Sequence, residues 1–294
     1  MALETRRKGV GAVPGSEAKE PKEPKGPKEP SADLTGWTAS PFTGAGLTHD
    51  VLEKGTGPGV VLVPEIPGVH PGVLGLGEHV VKQGFTVAIP SPFGEPGRPI
   101  SAPYALGVFG RVCVASEFRA FATNARRPFA DYLRALARDL ASRTPGPGVG
   151  VIGMCFTGGF ALAAATDPAV LAPVLSQPSL PLPVSAARRV DPGLSRAEFD
   201  TVVARTRNEG LCALGLRFSE DKLVPRDRFA TLRRHFGDAF EVIELDSSPG
   251  NEAGFAKSAH SVLTEEVREV PGHPAYAARE RVVEFLRERL APTG

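Results

Sequence analysis

One cysteine lies where its neighbours could make it a nucleophile. Residues 148–166 read GVGVIGMCFTGGFALAAAT, so Cys155 follows an apolar run and precedes two glycines and an Ala/Leu-rich stretch. The pattern G-x-C-x-x-G-G is close to the nucleophile elbow G-x-S-x-G, with cysteine in place of serine. Such a strained strand-to-helix turn needs small neighbours, and Gly153 and Gly158 would let the backbones approach. The start of the following helix would favour a thiolate.

Two other interpretations of this segment stay open on the sequence alone. Cys155 could be an inert buried cysteine beside a glycine-rich turn. Glycine-rich turns between a strand and a helix also bind phosphate groups. However, GMCFTGG has neither the Lys-Ser/Thr pair of a P-loop nor the spacing of a dinucleotide-binding motif.

A carboxylate follows a later predicted strand, where it could orient a catalytic base. A cysteine hydrolase needs a base that accepts the thiol proton and a group that orients this base. Asp221 comes just after the apolar run over residues 211–218, and α/β sheets place their sites at the carboxyl ends of their strands. The alternatives are that Asp221 caps a helix before Pro225, or that Glu220 is the acid.

A histidine follows in the order that such hydrolases require. The loop after the run FEVIEL contains His260, and nucleophile, acid and histidine then follow each other as Cys155, Asp221 and His260. His273 is a rival in the same region, but it precedes Pro274 at the predicted start of the last helix. We therefore predict that His260 is the base.

Short apolar runs alternate with helical patterns along the chain. Residues 46–55 predict a half-buried first strand. Near-continuous apolar runs are typical of strands covered on both faces, and they occupy residues 59–63, 85–89, 149–153, 211–218 and 240–245. Apolar stripes predict helices over residues 128–142, 195–208, 226–236 and near the C-terminus, where Val282, Val283, Leu286 and Leu290 share one face. This alternation predicts one α/β domain with a mostly parallel sheet and helices on both faces.

The N-terminal segment has a different composition. Its core reads EAKEPKEPKGPKEP, which offers little apolar surface to offset the entropy of ordering. We predict a disordered Pro/Lys/Glu-rich tail over residues 1–40, either a solvated leader or a docking arm, and a folded domain over residues 41–294.

Charge and cysteine content exclude several classes of protein. The chain has 34 Lys and Arg against 33 Asp and Glu, so no basic excess points to nucleic acid. No apolar run reaches the roughly 18 residues of a membrane span, and the first residues lack the apolar stretch of a secretory signal. Three cysteines without a C-x-x-C pair cannot build a disulfide framework. We expect a cytoplasmic protein without membrane or nucleic-acid partners.

Four segments together resemble dienelactone hydrolase, a cysteine hydrolase of the α/β-hydrolase fold. They are residues 60–99 with the sequence E-I-P-G-V, the cysteine turn GVGVIGMCFTGG, the acid loop SEDKLVP and the histidine loop AHSV. The resemblance covers about residues 46–290, and it is blurred over residues 178–210, where the chain carries extra sequence.

The resemblance implies a role for each matching residue. Cys155 would be the nucleophile, His260 the base and then the acid, and Asp221 the carboxylate that orients His260. Glu65 matches an extra glutamate of the family that lies beside the resting thiol and helps to hold or activate it. A structural salt bridge is the alternative for Glu65, because a carboxylate next to a buried run is costly unless it is paired.

The oxyanion hole is expected to come from backbone N–H groups. One belongs to Phe156, the residue after the nucleophile, and the other to Ile66, in the loop after the first central strand.

The substrate-binding residues depart from the family pattern. Thr264 stands where the family has an arginine that holds a substrate carboxylate, and two glutamates follow it. Arg111 and Arg119 are candidate counterparts of a second family arginine, or they are solvated surface residues. We therefore take Arg111, Arg119 and Thr264 as the candidate substrate-binding positions.

These residues predict a hydrolase that cleaves a small-molecule ester or lactone through an acyl-cysteine intermediate. We expect no metal or organic cofactor, and a monomer or homodimer. The alternatives are a thioesterase or amidase on the same residues, or a hydrolase-like binding protein without catalysis.

Overall fold

A computed structural model describes residues 33–291 of the chain, in which eight strands form one sheet. The strands are β1 (Thr38–Gly44), β2 (Leu47–Lys54), β3 (Gly59–Val63), β4 (Thr86–Pro90), β5 (Val149–Met154), β6 (Val170–Ser176), β7 (Ala213–Phe218) and β8 (Phe240–Leu245). Their order across the sheet is β1-β2-β4-β3-β5-β6-β7-β8. β2 is antiparallel to β1 and to β4, whereas all other neighbours are parallel. The predicted α/β class and mostly parallel sheet are confirmed.

Helices cover both faces of this sheet. They are α1 (Pro71–Lys82), α2 (Ala102–Val114), α3 (Pro128–Arg143), α4 (Gly158–Ala164), α5 (Ala186–Val190), α6 (Arg196–Asn208), α7 (Arg226–Phe236) and α8 (Pro274–Leu290). Side chains of α1 and α8 share one apolar core with the sheet, and those of α3, α4, α6 and α7 share the core on the opposite face. No helix in the described part of the chain is long and apolar enough to span a membrane.

The spacing of apolar residues in an element matches the number of its faces that are buried. In the fully buried strand β3, Val60 and Leu62 face the α1/α8 core, while Val61 and Val63 face the α3 core. Helix α3 instead buries a single stripe, as the helical spacing predicts, and its members are Phe129, Leu133, Leu136 and Leu140.

The start of the folded part differs from the predicted boundary. Residues 33–40, which the sequence assigns to the tail, contain the buried Trp37 and the beginning of β1. The indole N–H of Trp37 donates to Glu78 on α1 at 2.7 Å. A short polar strand with one aromatic residue in front of it has no apolar period, so composition alone did not separate it from the tail. The rest of the predicted tail, residues 1–32, lies outside the described residues.

Candidate active site

The backbone of Cys155 adopts a conformation that is uncommon for a residue with a side chain. Cys155 lies directly after β5, at the first position of a 3₁₀ turn (Cys155–Thr157) that leads into α4. Its φ angle is 53°, in the left-handed region where a Cβ atom is strained. A sharp turn of this kind at a strand end lifts the side chain out of the sheet, which is the geometry that an elbow nucleophile needs.

Two glycines permit this turn. A Cβ atom on Gly153 would stand 2.5 Å from the carbonyl oxygen of Thr157, and one on Gly158 would stand 2.6 Å from the Cα atom of Pro178. Both distances are far below van der Waals contact, so neither position tolerates a side chain without backbone movement. The spacing of glycines around Cys155 is therefore required by the close approach of β5, the turn and the chain after β6.

Thr157 ties the turn to the neighbouring strand. Its buried hydroxyl lies 3.2 Å from the carbonyl oxygen of Val63, 3.1 Å from that of Pro64 and 2.9 Å from that of Met154. The same oxygen accepts the backbone N–H of Met154 at 3.1 Å. The turn is thus held against the end of β3, directly before Glu65.

His260 and Asp221 are joined by a short hydrogen bond. Nδ1 of His260 lies 2.6 Å from Oδ2 of Asp221, and the other carboxylate oxygen accepts the backbone N–H of Leu223 at 2.9 Å. Asp221 is buried, whereas the His260 side chain keeps 21% of its surface exposed. The bond to Nδ1 orients the ring, and the second nitrogen, Nε2, is buried without a hydrogen-bond partner in residues 33–291.

The surroundings of His260 favour its charged form. Burial of the ring opposes protonation, but the nearby Cys155 and the hydrogen bond to Asp221 outweigh it and raise the pKa of His260 to about 11. Asp221 is thus bonded to His260, and Cys155 is near enough to affect the charge of the His260 ring.

Glu220 and His273, the alternative acid and base, contact other residues. Glu220 is partly exposed, with its carboxylate 3.7 Å from the Lys257 ammonium. His273 is the residue before α8, and its ring packs edge-on against Phe255 with the centroids 5.1 Å apart. The carboxylate of Asp221 bonds His260 and not His273.

Glu65 lies in a buried cluster of hydrogen-bond donors. Its Oε2 accepts the hydroxyl of Ser261 at 2.7 Å and the amide of Gln177 at 3.2 Å, and its Oε1 accepts the hydroxyl of Thr264. Only 2% of Glu65 is exposed. No hydrogen bond joins it to Cys155 in the part of the chain that the structure describes.

His70 completes the surroundings of Glu65. Its Nδ1 accepts the backbone N–H of Gly72 at 3.1 Å, which leaves Nε2 to carry the proton, and Nε2 lies 3.5 Å from Oε1 of Glu65. Burial alone would raise the pKa of Glu65, but His70, Thr264 and Ser261 together lower it below the usual value. Glu65 is therefore a carboxylate anion below the surface of the site.

Two cavities flank the site. One, of about 490 Å³, is lined by His260, Asp221 and other residues of the acid and histidine loops, namely Glu220, Leu223, Lys257 and Ser258. The other, of about 360 Å³, is lined by Phe93, Tyr104, Arg111, Glu117 and Phe118 among others. Two residues of this cavity wall, Phe93 and Phe118, pack their rings against Phe156, with centroids 6.4 and 5.4 Å apart.

The predicted substrate-binding positions are in three different places. Arg111 lines the cavity beside Phe156. Arg119 is exposed, and its guanidinium donates to the carbonyl oxygen of Arg126 at 3.2 Å. Thr264 bonds Glu65 instead of facing either cavity.

A sequence model of a known family extends over this entire arrangement. The model described as the dienelactone hydrolase family matches residues 48–290, from β2 to the last residue of α8. The chain belongs to the dienelactone hydrolase family. This membership makes the protein an ester hydrolase, and it confirms the resemblance that four short segments suggested.

Solved structures place this dienelactone hydrolase family member in the α/β-hydrolase fold. It is similar to a Klebsiella pneumoniae protein designated a dienelactone hydrolase, with 18% identity, coverage of 86% of this chain and 99% of that one, and a TM-score of 0.57. A dienelactone hydrolase-like promiscuous phosphotriesterase from metagenomic libraries has 16% identity, coverage of 87% and 98%, and a TM-score of 0.57. An α/β serine hydrolase without a lid from Xanthomonas campestris has 13% identity, coverage of 91% and 100%, and a TM-score of 0.51. A search among curated protein sequences finds no match.

Sequence reasoning missed several side chains of the site in this family member. Thr157, His70, Gln177 and Ser179 are all buried. His70 and Gln177 contact Glu65, Ser179 contacts Cys155, and Thr157 bonds the backbone of the residues next to these two. Only Thr157 carried a local signal, because it stands inside the cysteine turn. Gln177 and Ser179 follow β6, which the apolar pattern did not predict, so nothing in the sequence placed Gln177 beside Glu65 or Ser179 beside Cys155.

Proposed function

We propose that this protein hydrolyses small carboxylic esters or lactones through an acyl-cysteine intermediate. Cys155 is the nucleophile, His260 the general base and acid, and Asp221 the carboxylate that orients His260. The observation that carries the proposal is the His260 ring: Asp221 holds its Nδ1 at 2.6 Å, and its buried Nε2 has no partner among the described residues. An oriented imidazole with one nitrogen unpaired, next to a cysteine on a strained turn, is the arrangement that nucleophilic catalysis requires.

The first half of the reaction forms the thioester. The Cys155 thiolate attacks the ester carbonyl carbon, and the backbone N–H groups of Phe156 and Ile66 bind the oxyanion that develops. The tetrahedral intermediate then collapses, the carbon–oxygen bond to the leaving group breaks, and His260 transfers its Nε2 proton to the leaving oxygen. Before the attack the raised pKa of His260 keeps its ring protonated at neutral pH, so the proton is in place for this step.

The second half releases the acid. A water molecule gives a proton to Nε2 of His260 as its oxygen attacks the thioester carbonyl. The new tetrahedral intermediate collapses, the carbon–sulfur bond breaks, and the acid leaves while the thiolate and the protonated His260 are restored. No oxidant, metal or organic cofactor is needed to balance these steps.

The surroundings assign different parts to the remaining candidate residues. The cavity with Arg111 has in its wall Phe93 and Phe118, which pack against Phe156. We assign this cavity to the acyl group, so Arg111 is the candidate contact for an anionic substrate. Glu65 acts below the site through its contact with Ser261, the residue after His260, and Thr264 acts through its contact with Glu65. The exposed Arg119 is a weaker candidate because its guanidinium already bonds a backbone carbonyl.

The test is to trap the thioester. The protein is mixed with an activated aryl ester, quenched in acid within milliseconds to seconds, digested and examined by mass spectrometry. We expect the acyl group on Cys155, and a loss of turnover on the order of 10³-fold or more in Cys155→Ala. Cys113→Ala and Cys212→Ala are the matched controls and should keep turnover within about twofold.

Two outcomes would contradict the proposal. Turnover by a folded Cys155→Ala protein would exclude Cys155 as the nucleophile. Absence of turnover in the wild type over a panel of lactones, aryl esters and thioesters, with no preferential acylation of Cys155, would favour a binding protein without catalysis.

A further inference from the structure

Ser179 places a buried hydroxyl against the proposed nucleophile. The residue is 3% exposed, and its Oγ lies 3.8 Å from Sγ of Cys155. This sulfur is the one hydrogen-bond partner of the Ser179 hydroxyl among the described residues. Burying a hydroxyl without a hydrogen-bond partner is unfavourable, and the sulfur supplies this partner for Ser179.

The backbone around Ser179 is fixed to the cysteine turn and to β7. The N–H of Ser179 donates to the carbonyl oxygen of Cys155 at 2.9 Å, and the N–H of Gln177 donates to that of Leu216 at 2.8 Å. The carbonyl oxygen of Pro178, between them, accepts the guanidinium of Arg228 at 2.5 Å. Three consecutive residues are thus held from different sides, and the Ser179 hydroxyl has little freedom to turn away from the sulfur.

Arg228 is the centre of this support. Its side chain is fully buried in α7, and it also donates to the carbonyl oxygens of Pro181 at 2.6 Å, Arg188 at 3.0 Å and Asp191 at 2.7 Å. All of these carbonyls belong to the segment between β6 and α6, where the chain departs from the family pattern. The guanidinium of Arg228 therefore anchors this segment to the core. One of its contacts is with Pro178, the residue before Ser179.

The two charge states of the cysteine use this hydroxyl differently. A thiolate is an ionised acceptor, and a hydroxyl that donates to it forms a charge-assisted hydrogen bond. A thiol sulfur is only a weak acceptor and a weak donor. The same hydroxyl at the same distance thus stabilises the thiolate more than the thiol.

We propose that Ser179 is a catalytic residue that donates a hydrogen bond to the Cys155 thiolate and keeps the nucleophile ionised. This inference rests on the proposed function, since it assigns a helper to the same nucleophile. It adds a hydrogen-bond donor to the two features proposed to activate the sulfur, which are the base His260 and the strained turn.

The test measures ionisation of Cys155 separately from turnover. In a Cys113→Ala/Cys212→Ala background, Cys155 is the only thiol, and its alkylation by iodoacetamide is followed from pH 4 to pH 10. In Ser179→Ala we expect the acid limb of this profile to move to higher pH by about one unit, so that alkylation there is about tenfold slower. The plateau rate at high pH should stay within about threefold, because a more basic thiolate is also more nucleophilic. We expect kcat/KM on the acid side to fall in parallel.

Two further variants separate this effect from simple loss of packing. Ser179→Thr retains a hydroxyl and should restore the acid limb, whereas Ser142→Ala, at an exposed serine on α3, should leave the profile unchanged. Circular dichroism and thermal unfolding show whether each variant is folded.

The outcomes also separate this inference from the proposed function. If Ser179→Ala lowers thermal stability but leaves the alkylation profile in place, Ser179 is structural and this inference is overturned while the acyl-cysteine mechanism stands. If Cys155→Ala retains turnover, the proposed function fails, whatever the profile of Ser179→Ala.

Discussion

The hydroxyl of Thr264 donates a hydrogen bond to the buried carboxylate of Glu65. Position 264 is the one at which the resemblance to the family led us to expect a carboxylate-binding arginine. The Thr264 side chain therefore bonds Glu65 and is not positioned to bind a substrate carboxylate. Together with Ser261 and Gln177 it surrounds Glu65 with three uncharged donors, and Nε2 of His70 lies 3.5 Å from the same carboxylate.

Glu65→Gln tests what this cluster contributes to stability. A glutamine has one acceptor oxygen where Glu65 has two, and its amide group would face other donors, so buried groups lose partners. We expect a loss of about 1–3 kcal/mol in the free energy of unfolding at pH 7, measured by urea denaturation.

The pH dependence of that loss follows from the sign of the pKa shift. The folded-state pKa of Glu65 is lowered, so its contribution is fully present above the ordinary pKa of a glutamate and disappears as pH falls through the lowered value. The difference between wild type and Glu65→Gln should therefore shrink below about pH 4. A difference that stays constant down to pH 3 would show that packing, and not charge, explains the loss.

Arg228→Lys tests the anchor of the segment between β6 and α6. A lysine carries one ammonium group and cannot reach the carbonyls of Pro178, Pro181, Arg188 and Asp191 together. Burial lowers the pKa of Arg228 to about 10, which still leaves the guanidinium charged at neutral pH. We expect Arg228→Lys to lose about 2–4 kcal/mol of stability.

The neighbouring helix position supplies a matched control. Arg226 lies on the same helix with 75% of its side chain exposed, and Arg226→Lys should change the free energy of unfolding by less than about 0.5 kcal/mol. Limited proteolysis adds a local readout, since the anchored segment should be cut faster in Arg228→Lys alone. Equal cutting rates in the two variants would contradict the anchoring role.

Asp221→Asn tests the orientation of the base. The variant preserves the shape of the side chain but presents the wrong hydrogen-bonding group to Nδ1, and kcat should fall by up to about 10⁴-fold, by analogy with the serine triad. Loss of the Asp221 charge also removes a cause that raises the pKa of His260, so the basic limb of the kcat profile should move to lower pH. Glu220→Gln is the control and should alter kcat by less than about threefold. If the basic limb does not move in Asp221→Asn, it does not report the titration of His260.

The sequence predicted the parts of the fold that have a simple period. Strands β3, β4, β5, β7 and β8 and helices α3, α6, α7 and α8 were all expected close to their observed bounds. Strand β6 was missed because Pro173, which lacks an N–H, interrupts its apolar run although the strand is central. Strand β1 was missed because it is mostly exposed and contains Pro41.

The site residues also differ in whether a local sequence pattern predicts them. Cys155, Asp221 and His260 each stand at a recognisable place, a glycine-flanked turn or the end of an apolar run, so their types and order carried information. No such information marks Ser179 and Gln177, because they lie in the connection that follows the unpredicted strand β6. The contact between Thr264 and Glu65 joins residues 199 positions apart, and no local pattern encodes such a pairing.

The last prediction concerns the charge of the substrate. With Thr264 committed to Glu65, the position lacks the bidentate, charge-assisted contact that an arginine would give a substrate carboxylate, which is worth roughly 1.5–3 kcal/mol. The wild type should therefore not favour an anionic dienelactone over a neutral ester of similar size, as judged by kcat/KM. A preference for the anion by two orders of magnitude would show that another residue, with Arg111 the first candidate, supplies the contact.

A double-mutant cycle shows whether Glu65 controls this position. In Thr264→Arg the new guanidinium lies next to the buried carboxylate, which should capture it, so the preference should shift toward the anion by less than about tenfold. In Thr264→Arg/Glu65→Gln the competing charge is gone, and the shift should approach the roughly 10- to 150-fold that an unshared arginine provides. Additive effects of the two changes would mean that Glu65 does not hold the arginine, because coupled neighbours deviate from additivity.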